Sequence, residues 1–303
     1  MIYDIIIIGS GPAGLTAAIY ARRAKKEVLV IEKETMGGNI THSPKVENYP
    51  GYDSISGLEL ADRFLAQSES LGVMFEIDEV QSIEKEKNFI VNCKRKSFSA
   101  KSVIIATGSK HRELKLENER KFVGHGISYC AVCDGAFYDN CDVVIVGGGN
   151  SALQEALLLA KTCKSVTMIQ NLAFLTGEQA LIEQVNSTEN INVIFNKIVV
   201  GLNGDKSLTS IVLEDTETKQ CEEYETTSIF VAIGQEANNL PFANVCELDE
   251  NGFIISNESC KTKTKGIFVA GDCKKKAVRQ IVTATSDGSI AALQAIRYLD
   301  ILE

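Results

Sequence analysis

The chain has 303 residues, 45% hydrophobic and 23% charged, with a net charge of −9, which suits a globular protein with one large or two ordinary cores. The acidic balance excludes a general affinity for nucleic acid or an anionic membrane, since both need surplus Lys and Arg. No apolar run approaches the roughly 20 residues of a membrane span, and the apolar start Ile5–Ile8 is too short for a signal core, so a cytoplasmic location is expected.

In chain order, Ile5–Ile8 reads as a buried parallel strand that runs into Gly9-Ser10-Gly11-Pro12-Ala13-Gly14. A helix over Pro12–Arg23 and a second strand over Val28–Ile31 follow, with Glu32 at the end of that strand. Leu58–Leu71 predicts an amphipathic helix, and short strands then lead to Val103–Gly108. The polar run Ser109–Glu119 reads as a linker. Strand Val143–Val146, the loop Gly147-Gly148-Gly149, helix Ser151–Lys161 and strand Val166–Ile169 repeat the opening pattern. Strand-like stretches at 191–195, 198–202, 208–214 and 229–233 follow. Ile267–Asp272 then precedes a long helix from about Arg279 to Leu299.

The predicted fold class is therefore α/β, with two dinucleotide-binding (Rossmann-like) domains, the second inserted into the first. Residues 1–111 and 239–303 form the outer domain and 112–238 the inserted one.

The first glycine loop lies between strand and helix, the context in which the pattern carries meaning. Gly9 permits the tight turn, Gly11 lets the backbone approach a pyrophosphate, and Gly14 lets helix and strand pack closely. Glu32, eighteen positions after Gly14, stands where an acid binds ribose hydroxyls. Just ahead of the second loop lies Cys130-Ala131-Val132-Cys133-Asp134, whose spacing lets two thiols close a small ring. The other seven of the nine cysteines are scattered and read mostly as small buried residues. His42, His111 and His125 stand apart, so no metal site is expected.

These motifs, together with Ala106-Thr107-Gly108, Val46–Gly51, Ala270-Gly271-Asp272, Arg279-Gln280 and Thr283-Ala284 before Asp287-Gly288, resemble the flavoprotein thioredoxin reductases from end to end. The resemblance implies FAD held by Gly9, Ser10, Gly11, Pro12, Ala13, Gly14, Glu32, Asn48, Gly271, Asp272, Arg279, Gln280 and Ile281. It also implies a homodimer, thioredoxin as partner, and a redox-active Cys130–Cys133 pair. In that reading Cys133 takes electrons from the flavin, Cys130 is its disulfide partner, and Asp134 handles thiol protons.

The second loop, Gly147-x-Gly149-x-x-Ala152, departs from the family. NADPH-dependent members place a His-Arg-Arg run where this chain has Gln170-Asn171-Leu172, because a 2′-phosphate needs bidentate cationic donors. From Gln170 to Thr176 there is no cation, nor the acid that would favour NADH, and Asn150 stands where the family usually has an acid. Losing two or three charged hydrogen bonds, each contributing roughly 1.5–3 kcal/mol, weakens NADPH binding by orders of magnitude. The pattern resembles the ferredoxin-dependent flavin thioredoxin reductases, so ferredoxin is the expected donor.

Ferredoxins are acidic, and the window Lys261–Arg279 carries seven basic residues against one acid, +6 in all. A ferredoxin near −400 mV and a thioredoxin near −270 mV differ by about 130 mV, or about 6 kcal/mol for two electrons. The alternatives are an NAD(P)H-dependent reductase with an atypical donor site, a dithiol oxidase using oxygen, and a flavin-binding redox sensor.

Overall fold

The apolar alternation of the opening strand decides how the first unit is layered. In this computed structural model, which describes residues 1–43 and 45–302, Ile5 and Ile7 face one core while Ile6 and Ile8 face another. A strand buried on both sides lies inside a helix-covered sheet.

The chain divides into two compact units, Met1–Lys110 with Glu236–Glu303, and His111–Gln235. In the first unit the strand order is Met74–Ile77, Val28–Glu32, Ile2–Ile8, Ser97–Ile105, Phe89–Cys93, Val80–Lys85. The four strands Met74–Ile77, Val28–Glu32, Ile2–Ile8 and Ser97–Ile105 run parallel, in register at Ile7↔Val30 and Ile8↔Ile105. Strand Ser97–Ile105 is shared. Its first half pairs antiparallel with Phe89–Cys93, and its second half pairs parallel with Ile267–Val269.

Helix Pro12–Arg23 packs on the C-terminal helix Ile281–Leu302 through alanines at 13, 17, 18, 21, 291, 292 and 295. Small side chains let the two backbones approach. A Cβ on Gly288 would strike the Ala13 carbonyl.

The second unit repeats the plan with a parallel sheet ordered Ile191–Ile194, Ser165–Ile169, Asp142–Val146, Ile229–Val231, Ile127–Ser128. An antiparallel sheet of Lys197–Gly204, Leu208–Asp215 and Cys221–Glu225 adjoins it. Among the described residues no helix is long and apolar enough to cross a membrane.

Several expectations shift. The helix predicted at Ser151–Lys161 spans Asn150–Leu159, and the C-terminal helix begins at Ile281 and reaches Leu302. Helix Gln179–Ser187 and strand Cys221–Glu225 are additional, the latter being a mostly exposed edge whose polar residues mask its pattern. The supposed linker Ser109–Glu119 is tied down. Glu119 is buried, its carboxylate accepts the backbone N–H groups of Leu114, Lys115 and Leu116, and the Tyr129 hydroxyl donates to it at 2.8 Å. Of the free cysteines, 163, 246, 260 and 273 are buried, whereas Cys141 and Cys221 are exposed.

Candidate functional site

The first unit gathers a nucleotide-type site from distant parts of the sequence. Gly9 has φ +104°, and a Cβ there would crowd the Ala106 carbonyl, so the turn admits only glycine. A Cβ on Gly14 would strike the Gly9 carbonyl, so the helix starting at Pro12 closes directly on the strand. At Gly11 the nearest atom to a Cβ is 3.9 Å away, leaving a cradle at the helix N-terminus of the kind anions occupy. Glu32 Oε2 accepts from both the backbone N–H and the hydroxyl of the fully buried Ser10, each at 2.8 Å, while Oε1 accepts the N–H groups of Lys33 and Glu34.

Gly271 lies beside this loop, where a Cβ would come within 2.8 Å of the Ala13 Cβ. Next to it Asp272 has its Oδ1 buried with no hydrogen-bond partner among the described residues. Burial pushes the Asp272 carboxyl above the usual range, opposed by the Lys276 and Arg279 charges. Arg279 stacks on the Phe253 ring at 4.1 Å and its Nε donates to the Asp272 carbonyl at 3.4 Å. Asn48 Nδ2 donates to Gln280 Oε1 at 3.3 Å, and Ile281 packs on the Ile40, Val46, Ile55 and Leu60 cluster. The glycine cradle and the orphaned carboxylate oxygen fit a dinucleotide cofactor rich in hydroxyl donors and phosphates.

Lys274 and Lys276, counted from sequence in the basic window, and Asp287, part of the motif Asp287-Gly288, meet here. Asp287 Oδ1 accepts from Lys274 Nζ at 3.0 Å, and its Oδ2 accepts from Lys276 Nζ at 2.8 Å and from the Gly271 N–H at 3.2 Å. Lys274 is buried and the Lys276 side chain is 12% exposed. The expectation of seven basic residues on one surface is therefore corrected: two of the lysines turn inward onto an aspartate eight residues beyond the window, and counting its charge leaves +5. Lys261, Lys263, Lys265 and Lys275 remain exposed.

In the second unit Cys130 and Cys133 form a disulfide, with Cα atoms 5.3 Å apart, across the short helix Ala131–Asp134. The Cys133 N–H donates to Cys130 Sγ at 3.2 Å, a contact that would stabilise a thiolate there. Cys133 is exposed and Val132 is 56% exposed, so this turn presents itself at the surface of its own unit. Asp134 is half-buried, and its Oδ2 accepts from the Ser128 hydroxyl at 2.6 Å. Burial raises its carboxyl, with the Ser128 bond opposing, which suits a group that gives and takes protons.

Beneath the turn lies helix Asn150–Leu159. A Cβ on Gly135 would meet Leu159 Cδ2 at 2.9 Å, and Glu155 Oε2 is buried without a hydrogen-bond partner among the described residues. Burial pushes the Glu155 carboxyl up to about 7. Neither Ser128 nor Glu155 carried a sequence signal.

The second glycine loop differs from the first. Gln170 is buried at the position matching Glu32, its amide packs against Gly148, and its Nε2 donates to the Phe174 carbonyl at 2.9 Å. Thr176 returns over the loop, its N–H donating to the Gly148 carbonyl at 2.8 Å and its hydroxyl at 3.3 Å. Asn150 and Glu178 bond reciprocally, at 2.6 and 3.1 Å. Among the described residues no group of three or more His, Cys, Asp or Glu could hold a metal ion.

The sequence pattern of the family described as pyridine nucleotide-disulphide oxidoreductase matches residues 3–288. The chain is 40% identical over 300 residues to the "34.2 kDa protein in rubredoxin operon" of Clostridium pasteurianum, covering 98% of this chain and 97% of that protein. It is 37% identical over 304 residues to thioredoxin reductase of Bacillus subtilis, covering 100% and 96%. Thioredoxin reductase from Streptococcus pyogenes shares 36% identity with a TM-score of 0.94 over 99% of each chain. With a disulfide across Cys-x-x-Cys and a glycine cradle in the other unit, this chain belongs to the pyridine nucleotide-disulphide oxidoreductases, as an FAD-binding disulfide oxidoreductase of the thioredoxin reductase type.

Proposed function

We propose that this protein reduces thioredoxin through Cys130 and Cys133, with electrons supplied by reduced ferredoxin and not by NADPH. The observation that carries the donor is Gln170. A neutral amide fills the space against Gly148, is tied to the Phe174 carbonyl, and is followed by no cation before Thr176. A 2′-phosphate would meet no guanidinium there.

FAD is held, in this reading, by the Gly9–Gly14 loop, Glu32, Asn48, Gly271, Asp272, Arg279, Gln280 and Ile281. When bound, it supplies a redox centre able to take electrons singly and release them in pairs. Two electrons and two protons convert the Cys130–Cys133 disulfide into a dithiol, and Asp134 moves a proton at the sulfurs. One thiolate then attacks the disulfide of thioredoxin and forms a mixed disulfide. The second displaces the thioredoxin thiol, which leaves as a reduced dithiol and restores Cys130–Cys133. The homodimer and the cytoplasmic location belong to the same proposal.

The test is anaerobic reduction of the bound flavin, followed by absorbance, with NADPH, NADH or photoreduced ferredoxin. Bleaching by ferredoxin alone is expected. Rapid bleaching by millimolar NADPH or NADH would establish the second reading, a pyridine-nucleotide reductase with an atypical donor site.

A further inference from the structure

The buried charges beside the cofactor loop form one connected set. Asp287, on the C-terminal helix, receives Lys274, Lys276 and the Gly271 N–H. Lys276 Nζ is also 3.8 Å from Asp272 Oδ1, the buried oxygen with no hydrogen-bond partner among the described residues. Lys276 therefore touches both the carboxylate that anchors the Gly271 backbone and the carboxylate directed at the cofactor site. Two lysines and two aspartates leave the set neutral overall, which buried charges require.

We propose that Lys276 is a positioning residue for FAD: by joining Asp287 to Asp272 it holds Asp272 Oδ1 where that oxygen accepts a cofactor hydroxyl. The geometry makes the exchange explicit. Asp287 spends one oxygen on Lys274 and shares the other between Lys276 and Gly271, so it cannot itself serve the cofactor. Asp272 remains the acceptor, and its ionisation is opposed by burial and by the Asp287 charge and favoured by Lys276 and Arg279. The Arg279 guanidinium lies over the Phe253 ring with its Nε on the Asp272 carbonyl, and it makes no hydrogen bond to Asp272 Oδ1. Removing the Lys276 charge thus moves the Asp272 carboxyl further up, and FAD retention becomes pH-dependent.

The inference rests on Asp272 being a cofactor ligand, and the experiment separates the two ideas. FAD release is followed by flavin fluorescence after dilution of the holoprotein, from pH 5.5 to 8, in the wild type, Lys276→Gln, Lys276→Arg and Asp272→Ala. Lys276→Gln is expected to release FAD at least tenfold faster than wild type at pH 5.5 and to approach it at pH 8. Lys276→Arg, which keeps the charge, should match wild type throughout. Thermal melting of the apoproteins reads general damage independently. The Lys276→Gln amide still donates to Asp287, so the fold is expected to hold. Release by Lys276→Gln that equals wild type at every pH, or is faster by the same factor at every pH, overturns the positioning role. Wild-type FAD retention in Asp272→Ala would instead overturn the ligand assignment of Asp272.

Discussion

The Gln170 amide lies directly against Gly148, on the space where a Cβ would stand, so any side chain at position 148 would have to displace it. In the first unit the matching pair, Glu32 and Ser10, is joined by two 2.8 Å hydrogen bonds through one carboxylate oxygen. The same local architecture ends in an anionic acceptor once and in an enclosed neutral amide the second time.

Restoring cations should therefore restore nucleotide affinity before it restores chemistry. Asn171→Arg with Leu172→Arg adds two charged donors at exposed positions. At roughly 1.5–3 kcal/mol each, they should tighten NADPH binding by at least tenfold. Isothermal titration checks this, and unchanged affinity would show that Gln170 and Thr176 close the site whatever the charge.

Cys130→Ser and Cys133→Ser should each retain FAD and lose thioredoxin reduction, because no disulfide is left to accept the electron pair. An insulin-coupled thioredoxin assay with chemically reduced enzyme measures it. Normal turnover in either variant would remove the dithiol from the mechanism.

Asp134→Asn keeps the Ser128 contact and loses the proton. The thiol steps should slow by roughly 10²–10⁴-fold. Because burial raises the Asp134 carboxyl, the wild-type proton-donating limb should fall as pH rises through that elevated value. The asparagine variant should lack this limb. Persistence of the wild-type profile would place the proton elsewhere.

Glu155 makes a stability prediction with a definite sign. Its carboxyl lies near 7 in the folded chain against a reference of 4.5. The native state therefore favours the protonated form, and stability is fully present below pH 4.5 and lost progressively as pH rises through 7. Glu155→Gln removes the charge, so its stability relative to wild type should climb over that interval, by about 3 kcal/mol at most. Urea unfolding at pH 4.5, 6 and 8 would test it, and a constant difference would contradict it.

The lysine surface divides into two classes. Reversing the exposed Lys261, Lys263, Lys265 and Lys275 to Glu should cut the ferredoxin association rate by about tenfold or more at low ionic strength. The effect should vanish near 1 M salt, where the Debye length is about 3 Å. Lys274→Glu should instead destabilise the protein, by roughly 3–5 kcal/mol, because it strips the buried Asp287 of a partner. A wild-type association rate in the fourfold variant at low ionic strength would show an ordinary solvated surface.

The two strand–glycine–helix units were legible in the sequence because each is local. Ile5–Ile8 and Val143–Val146 are wholly β-branched apolar runs that suit a buried parallel strand, and glycines fall where the turn needs them. The Cys130–Cys133 spacing announced its ring for the same reason. What the tertiary structure alone decided are pairings between distant segments: Glu119 capping the backbone of a supposed linker, Glu155 enclosed under the disulfide turn, Lys274 and Lys276 turned inward onto Asp287. A window of sequence reports charges as a sum. Their effect depends on which carboxylate the fold brings within about 3 Å and how much water it removes, and neither is a property of neighbouring residues along the chain.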